Sequence, residues 1–257
     1  MGLSPKTYYK YRKRRVDPDY KDYTLIEPIF KASKQTYGYR RITLALTRDY
    51  GILMNHKKVL RIMTKYDLKV KHAQPSLSGR ATRKRTEERV VPDRLKRNFN
   101  VTQSNQAWVT DITYLIFGNQ RRYLSTILDL HTRRIVAYRI GSINSLELVI
   151  ETLSDALRHE KKVYGCILHS DQGFQYTSTQ YQRICQSHGI ITSMSRKGNP
   201  LDNAVIESFH SLLKKETLYN NQFTSIQQYV QSVIDWLDFY SRDRIKLSQT
   251  KSRYVFI

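Results

Sequence analysis

The chain has 257 residues, with 44 Lys and Arg against 22 Asp and Glu, a formal charge of +22, and 40% hydrophobic residues. That apolar content excludes a disordered basic tail, and the charge calls for an anionic partner, nucleic acid first, because phosphate neutralisation supplies most non-specific affinity. The apolar run Val163–Leu168 is far shorter than the ~20 residues of a membrane helix, and the N-terminus lacks the apolar stretch of a secretory signal. Cys166 and Cys185 have no partner at zinc-ligand spacing, so two buried thiols in a reducing, intracellular compartment are expected.

In chain order, the charge is concentrated at the front. Residues 1–100 hold 26 Lys and Arg against 9 Asp and Glu, a net of +17, whereas residues 101–257 hold 18 against 13. Residues 1–23 read as a basic arm in which Tyr8, Tyr9 and Tyr11 alternate with Lys and Arg, suited to stacking on bases and pairing with phosphates, or simply solvated. Residues 24–70 carry two bursts of 3.6-residue apolar period, Ile42–Leu46 and Val59–Met63, separated by Tyr50-Gly51-Ile52. An Asn cap at Asn55 and the cations Lys57, Lys58, Arg61 and Lys65 on the second helix fit a DNA-binding helix-turn-helix, and a plain helical hairpin is the alternative. Residues 71–100 read as a basic linker, with Arg83-Lys84-Arg85 placed to follow a DNA backbone.

From residue 101 to 257 the pattern changes to strands and then alternates. Trp108–Phe117, Tyr123–Leu130 and Arg134–Ile140 form an expected antiparallel meander. A helix at Leu146–His159, a strand at Tyr164–His169, a helix at Thr179–Ser187, a strand at Ile190–Met194 and a helix at Asp202–Thr217 follow, an α/β layout over one sheet. Asp111 is anomalous in its apolar run, because a carboxylate there is costly without a cation or donor. Asp171 ends the fourth strand, at the carboxyl edge where such sheets place ligands. On the last helix, Asn203, His210, Ser211 and Lys214 fall within about 60° of Glu207, while Glu216 points about 180° away. Asp111, Asp171 and Glu207 converging from two strands and a helix would form an oxygen-only cage suited to two Mg²⁺ or Mn²⁺ ions and to phosphoryl transfer. Asp129 reads as a turn acid. His169 could orient a carboxylate or phosphate or could be a core histidine, and capping of the last helix accounts for Asp202 and Asn203.

Trp108-Val109-Thr110-Asp111-Ile112-Thr113-Tyr114, Leu168-His169-Ser170-Asp171-Gln172-Gly173 and Gly198-Asn199-Pro200-Leu201-Asp202-Asn203-Ala204, running into Glu207-Ser208-Phe209 and Lys214-Lys215-Glu216, closely resemble the integrase-core transposases of bacterial insertion sequences. More narrowly, the chain looks like the second-frame protein of the frameshifting group, and the thirty-five residues between Asp171 and Glu207 match that family's acidic triad. The resemblance covers about residues 24–250. It implies a ribonuclease-H-like integrase core, a mixed five-stranded sheet flanked by helices, preceded by a small helical helix-turn-helix domain. It also implies Asp111, Asp171 and Glu207 as catalytic metal ligands, with Lys214 on phosphate and His169 and Asn203 in support. The implied partners are double-stranded DNA, as element ends and target, and further copies of the chain on that DNA, in a cytoplasmic, nucleoid-associated setting with no membrane. The end at Lys251–Ile257 falls short of the Ser-Pro and Tyr-containing helix of such proteins, so a truncated, catalytically silent DNA-binding repressor is the alternative to an active transposase. A ribonuclease-H-like repair nuclease would explain the acids but not the helix-turn-helix.

Overall fold

The computed structural model describes residues 17–70, 90–219 and 221–244, and these fall into two units, 17–70 and 90–244. The first is three helices, α1 (Tyr20–Ala32), α2 (Tyr39–Tyr50) and α3 (His56–Lys65). The last two lie where the 3.6-residue period places them, with Ile42, Leu44, Ala45 and Leu46 of α2 and Val59, Ile62 and Met63 of α3 turned inward. Gly51 ends α2 at φ +66°, a left-handed conformation open to a residue without Cβ. The Asn55 side chain accepts the Lys57 N–H and caps α3. Helix α1 corrects the sequence reading, since an arm drawn at 1–23 runs into it. Pro28 breaks the pattern that marks a helix in sequence, yet Ile26, Ile29 and Phe30 are buried and α1 packs on both α2 and α3.

The second unit is built on a five-stranded sheet: β1 (Ala107–Phe117), β2 (Gln120–Asp129), β3 (Ile135–Gly141), β4 (Ile167–Ser170) and β5 (Ile191–Met194), in the order β3-β2-β1-β4-β5. The meander pairs antiparallel, and β4 and β5 add in parallel to β1. Strand β4 begins three residues later than the sequence suggests, because Gly165 at φ +79° makes a turn in which its N–H bonds Gly189 O. The helices are α4 (Leu146–His159), α5 (Thr179–Ser187), α6 (Ala204–Glu216) and α7 (Ile226–Arg242), with a short 3₁₀ turn at Pro200–Asn203 before α6; α7 lies beyond the elements expected from the sequence.

Alternation along the strands divides the core in two. Trp108 and Ile127 pack with Val149 and Leu153 of α4 and with Tyr181 and Cys185 of α5. Val109, Leu115, Leu124 and Leu128 pack with Ile206, Phe209 and Leu213 of α6 and Tyr229, Val233 and Trp236 of α7. Residue 111 shares the parity of 109 and therefore faces α6. Both thiols are buried, as expected. The linker reading needs revision at its end: Leu95 lies in the α6/α7 core, and the N–H groups of Arg94 and Leu95 both donate to Ser193 Oγ. No helix among the described residues is long and apolar enough to cross a membrane.

Candidate active site

The parallel pairing of β1 with β4 sets the site. Val109 lies opposite His169, so continuing that register by two residues puts Asp111 level with Asp171 just past the end of β4. Both carboxylates act electrostatically on the hydroxyl of Tyr176, whose pKa burial raises far above the usual phenol range. Asp171 Oδ1 accepts the Gly173 N–H at 2.8 Å. A Cβ on Gly173 would sit 2.8 Å from that same oxygen, so a side chain there forces the carboxylate to shift.

On the opposite side of Asp111 runs α6. Its first turn carries Glu207, and Asp111 and Glu207 rim one cavity of about 350 Å³ together with His210, Ser211 and Lys214. The Asp111 side chain is 24% exposed, and its Oδ2 lies 3.5 Å from Nδ1 of buried His210. Burial lowers the pKa of Lys214, an effect that the charge of Asp111 partly offsets. Periodicity puts His210 on the Glu207 edge without giving it a role; its contact with Asp111 depends on the distance between β1 and α6, which one-dimensional periodicity does not contain. A larger cavity, about 590 Å³ and lined by Arg139, Glu151 and Asp155, holds none of the three predicted acids.

The donors suit a hard divalent cation: carboxylate oxygens, partly exposed, on a rim open to solvent. Asp111 and Glu207 share the cavity, and Asp111 and Asp171 both act on the Tyr176 hydroxyl; among the described residues no preformed group of three or more His, Cys, Asp or Glu gathers around one metal position.

The supporting residues separate. His169 is fully buried, with Nδ1 2.9 Å from Ser193 Oγ. Ser193 Oγ also accepts two backbone N–H groups, Asp93 Oδ1 lies 3.8 Å from Nδ1, and burial lowers the His169 pKa, an effect that the Asp93 charge partly offsets. Asn203 stands at the N-cap of α6 but makes no capping bond, and its buried Oδ1 has no hydrogen-bond partner among the described residues. Asp202 does not cap either. It is fully buried and accepts from Arg97 and Arg196. Asp129 is the expected turn acid, accepting the N–H and hydroxyl of Thr132 and the Asn105 N–H.

The predicted DNA-binding cations of α3 fare differently. Lys58 pairs with Asp22, Arg61 holds Asp19 through two bonds of 2.6 and 2.7 Å, and Lys65 reaches both Asp17 and Asp19. Those three fasten α3 to the start of α1 while their side chains stay 40–56% exposed, so they remain candidate contacts on that helix beside the exposed Lys57. Arg83, Lys84 and Arg85 lie outside the described residues.

Comparison with known proteins follows the same division. Residues 18–75 match the model of an HTH-like domain, and residues 101–200 and 188–248 match two models of an integrase core domain. The chain is similar to the putative transposase InsK of insertion element IS150 from Escherichia coli, 36% identical over 94% of this chain and 84% of that protein. It is also similar to the transposase of IS904 from Lactococcus lactis, 33% identical over 84% of each. An uncharacterized 31 kDa protein of IS600 from Shigella sonnei is 34% identical over 82% of this chain and 77% of its own length.

Proposed function

Because the chain belongs to the insertion-sequence transposases, with their integrase core and HTH-like domain, we propose that it cuts the ends of an element and joins the freed 3′-hydroxyl to target DNA, by two-metal phosphoryl transfer. The carrying observation is that Asp111 shares a cavity with Glu207 and lies on the strand that pairs with β4, just past whose end Asp171 stands. Asp111, Asp171 and Glu207 would hold a divalent cation, which when bound would supply charge stabilisation to an in-line phosphoryl displacement. The chain's own groups do the rest. Lys214 offers a cation to the phosphate beside Asp111. The Gly173 N–H fixes Asp171. His210, almost fully enclosed, walls one side of the cavity and orients Asp111. Substrate DNA and further copies of the chain are the proposed partners.

A second reading has its own support. The HTH-like match over residues 18–75 suits equally a catalytically silent copy that occupies element ends as a repressor. Mn²⁺-dependent nicking and joining of end-bearing duplexes separates the two. In an active chain, Asp111→Asn, Asp171→Asn and Glu207→Gln each abolish joining, by about 10³-fold or more given charge stabilisation worth several kcal/mol, while DNA binding persists. Joining that survives Glu207→Gln sinks the triad assignment, and a wild type that binds and never cuts establishes the repressor.

A further inference from the structure

Five exposed cations meet where two sequence-distant segments dock: Arg94, Lys96 and Arg97 before β1, and Arg196 and Lys197 after β5. The joint is built on Asp202, whose side chain is 0% exposed. Arg196 grips it through Nε and Nη2 at 2.9 Å each and through its backbone N–H at 3.1 Å. Arg97 adds Nε at 2.7 Å. One arginine in that grip already satisfies a carboxylate, and the second arrives at a cost. Lys96 and Arg97 stand consecutively at φ +48° and +60°, a left-handed conformation that side chains with Cβ seldom adopt. The turn is held by Asp93 Oδ1 on the Lys96 N–H, by the two N–H groups on Ser193 and by buried Leu95.

The two guanidinium groups meet on a buried anion and still face water, at 40% and 60% side-chain exposure. Each carries five N–H donors, of which Arg97 commits one and Arg196 two to the carboxylate, so an outward edge of each stays available. The location borders the acids. Asp202 lies five residues before Glu207, and Gln172 Nε2 donates to Ser195 O, tying the loop after Asp171 to this one.

We propose that Arg97 and Arg196, pre-set by Asp202 and flanked by Arg94, Lys96 and Lys197, form a phosphate-binding ridge that holds the DNA backbone beside the carboxylates. It rests on the transposase reading for its substrate, but its test does not depend on catalysis. The full chain is titrated with a short random-sequence duplex over a series of salt concentrations. Replacing both arginines, Arg97→Gln with Arg196→Gln, lowers the slope of log affinity against log salt by about 0.9 for each phosphate no longer neutralised, up to about two in all. Asp202→Asn loosens the same network yet leaves both cations in place, so its salt slope stays level even where its affinity shifts. An unchanged slope in the arginine variant overturns the ridge, as does an equal fall in slope with Asp202→Asn, which would mark the arginines as structural only. Should the arginine variant fail to fold, Lys96→Gln with Lys197→Gln, outside the network, carries the test: a reduced slope supports the ridge and an unchanged one overturns it. A slope that falls in a chain that never nicks DNA leaves the ridge standing and refutes the catalytic reading alone.

Discussion

The Asp171 carboxylate lies against Gly173, where any side chain would force it to shift. Gly173→Ala brings a methyl to 2.8 Å from its carboxylate oxygen and 3.0 Å from Gln175 Oε1. Since Gly173 lies in a loop beyond β4, the expected outcome is metal-dependent joining reduced by on the order of 10²-fold, the scale of a 1 Å misplacement, with the melting transition little changed. Joining kinetics beside a thermal melt check it. The buried thiols behave as the reverse kind of residue, with chemistry suppressed. Burial pushes Cys166 and Cys185 up to about 12 from an ordinary 9.0. The thiolate fraction alone predicts maleimide labelling on the order of 10³-fold slower than in urea. The unfolded thiols release protons above about 9 while the folded ones retain them, so stability falls as pH rises from about 9 toward 12. Labelling at pH 8 as fast as in urea would refute this. At this scale the sequence was most legible for residues whose position in a strand or turn is local, such as Asp111 and Asp129. It was least legible for Asp202, which local capping rules assigned to a helix end while Arg97, more than a hundred residues earlier, claimed it.

Among elements, helix α3 shows that charge pattern alone does not reveal which partners a cation has within the chain. Its cations read as a DNA surface, but Asp17, Asp19 and Asp22, at and before the start of α1, meet them, and Arg61 holds Asp19 well below the usual carboxylate range. Both partners lie in plain sight in the sequence. What was missing was α1 itself, hidden by Pro28, and with it the knowledge that its N-terminus packs along α3. Helix α6 shows the opposite. The 100° wheel put Glu216 on the far side from Glu207, and there it accepts from Trp236 Nε1 of α7 and from Arg244, in a pair only 8% and 3% exposed. Removing one partner of such a pair strands the other, so Glu216→Ala is expected to cost about 3 kcal/mol of stability, read from urea midpoints, and to leave the metal dependence of joining unaltered. A change in metal dependence would place Glu216 in the site after all.

For the whole molecule, charge distribution predicts behaviour without reference to how the units are arranged. Residues 1–89 hold 23 Lys and Arg against 8 Asp and Glu, so a fragment of residues 90–257, which keeps the core-packed Leu95 and the Asp202 network, is expected to bind duplex DNA with a shallower salt slope than the full chain. An unchanged slope would place the DNA surface in the second unit. The sequence by itself determined the two-part organisation, the order of the strands and helices of the core up to α6, and the family to which the acids belong. Those properties reside in local periodicity, turn residues and short motifs. Only the tertiary structure decided which cations pair within the chain, that α1 and α7 exist, that residues 90–100 pack against the core, and that Asp111 shares a cavity with Glu207. Each of these depends on which distant segments share a buried contact, and burial is a property of the packed chain in three dimensions rather than of any stretch of its sequence.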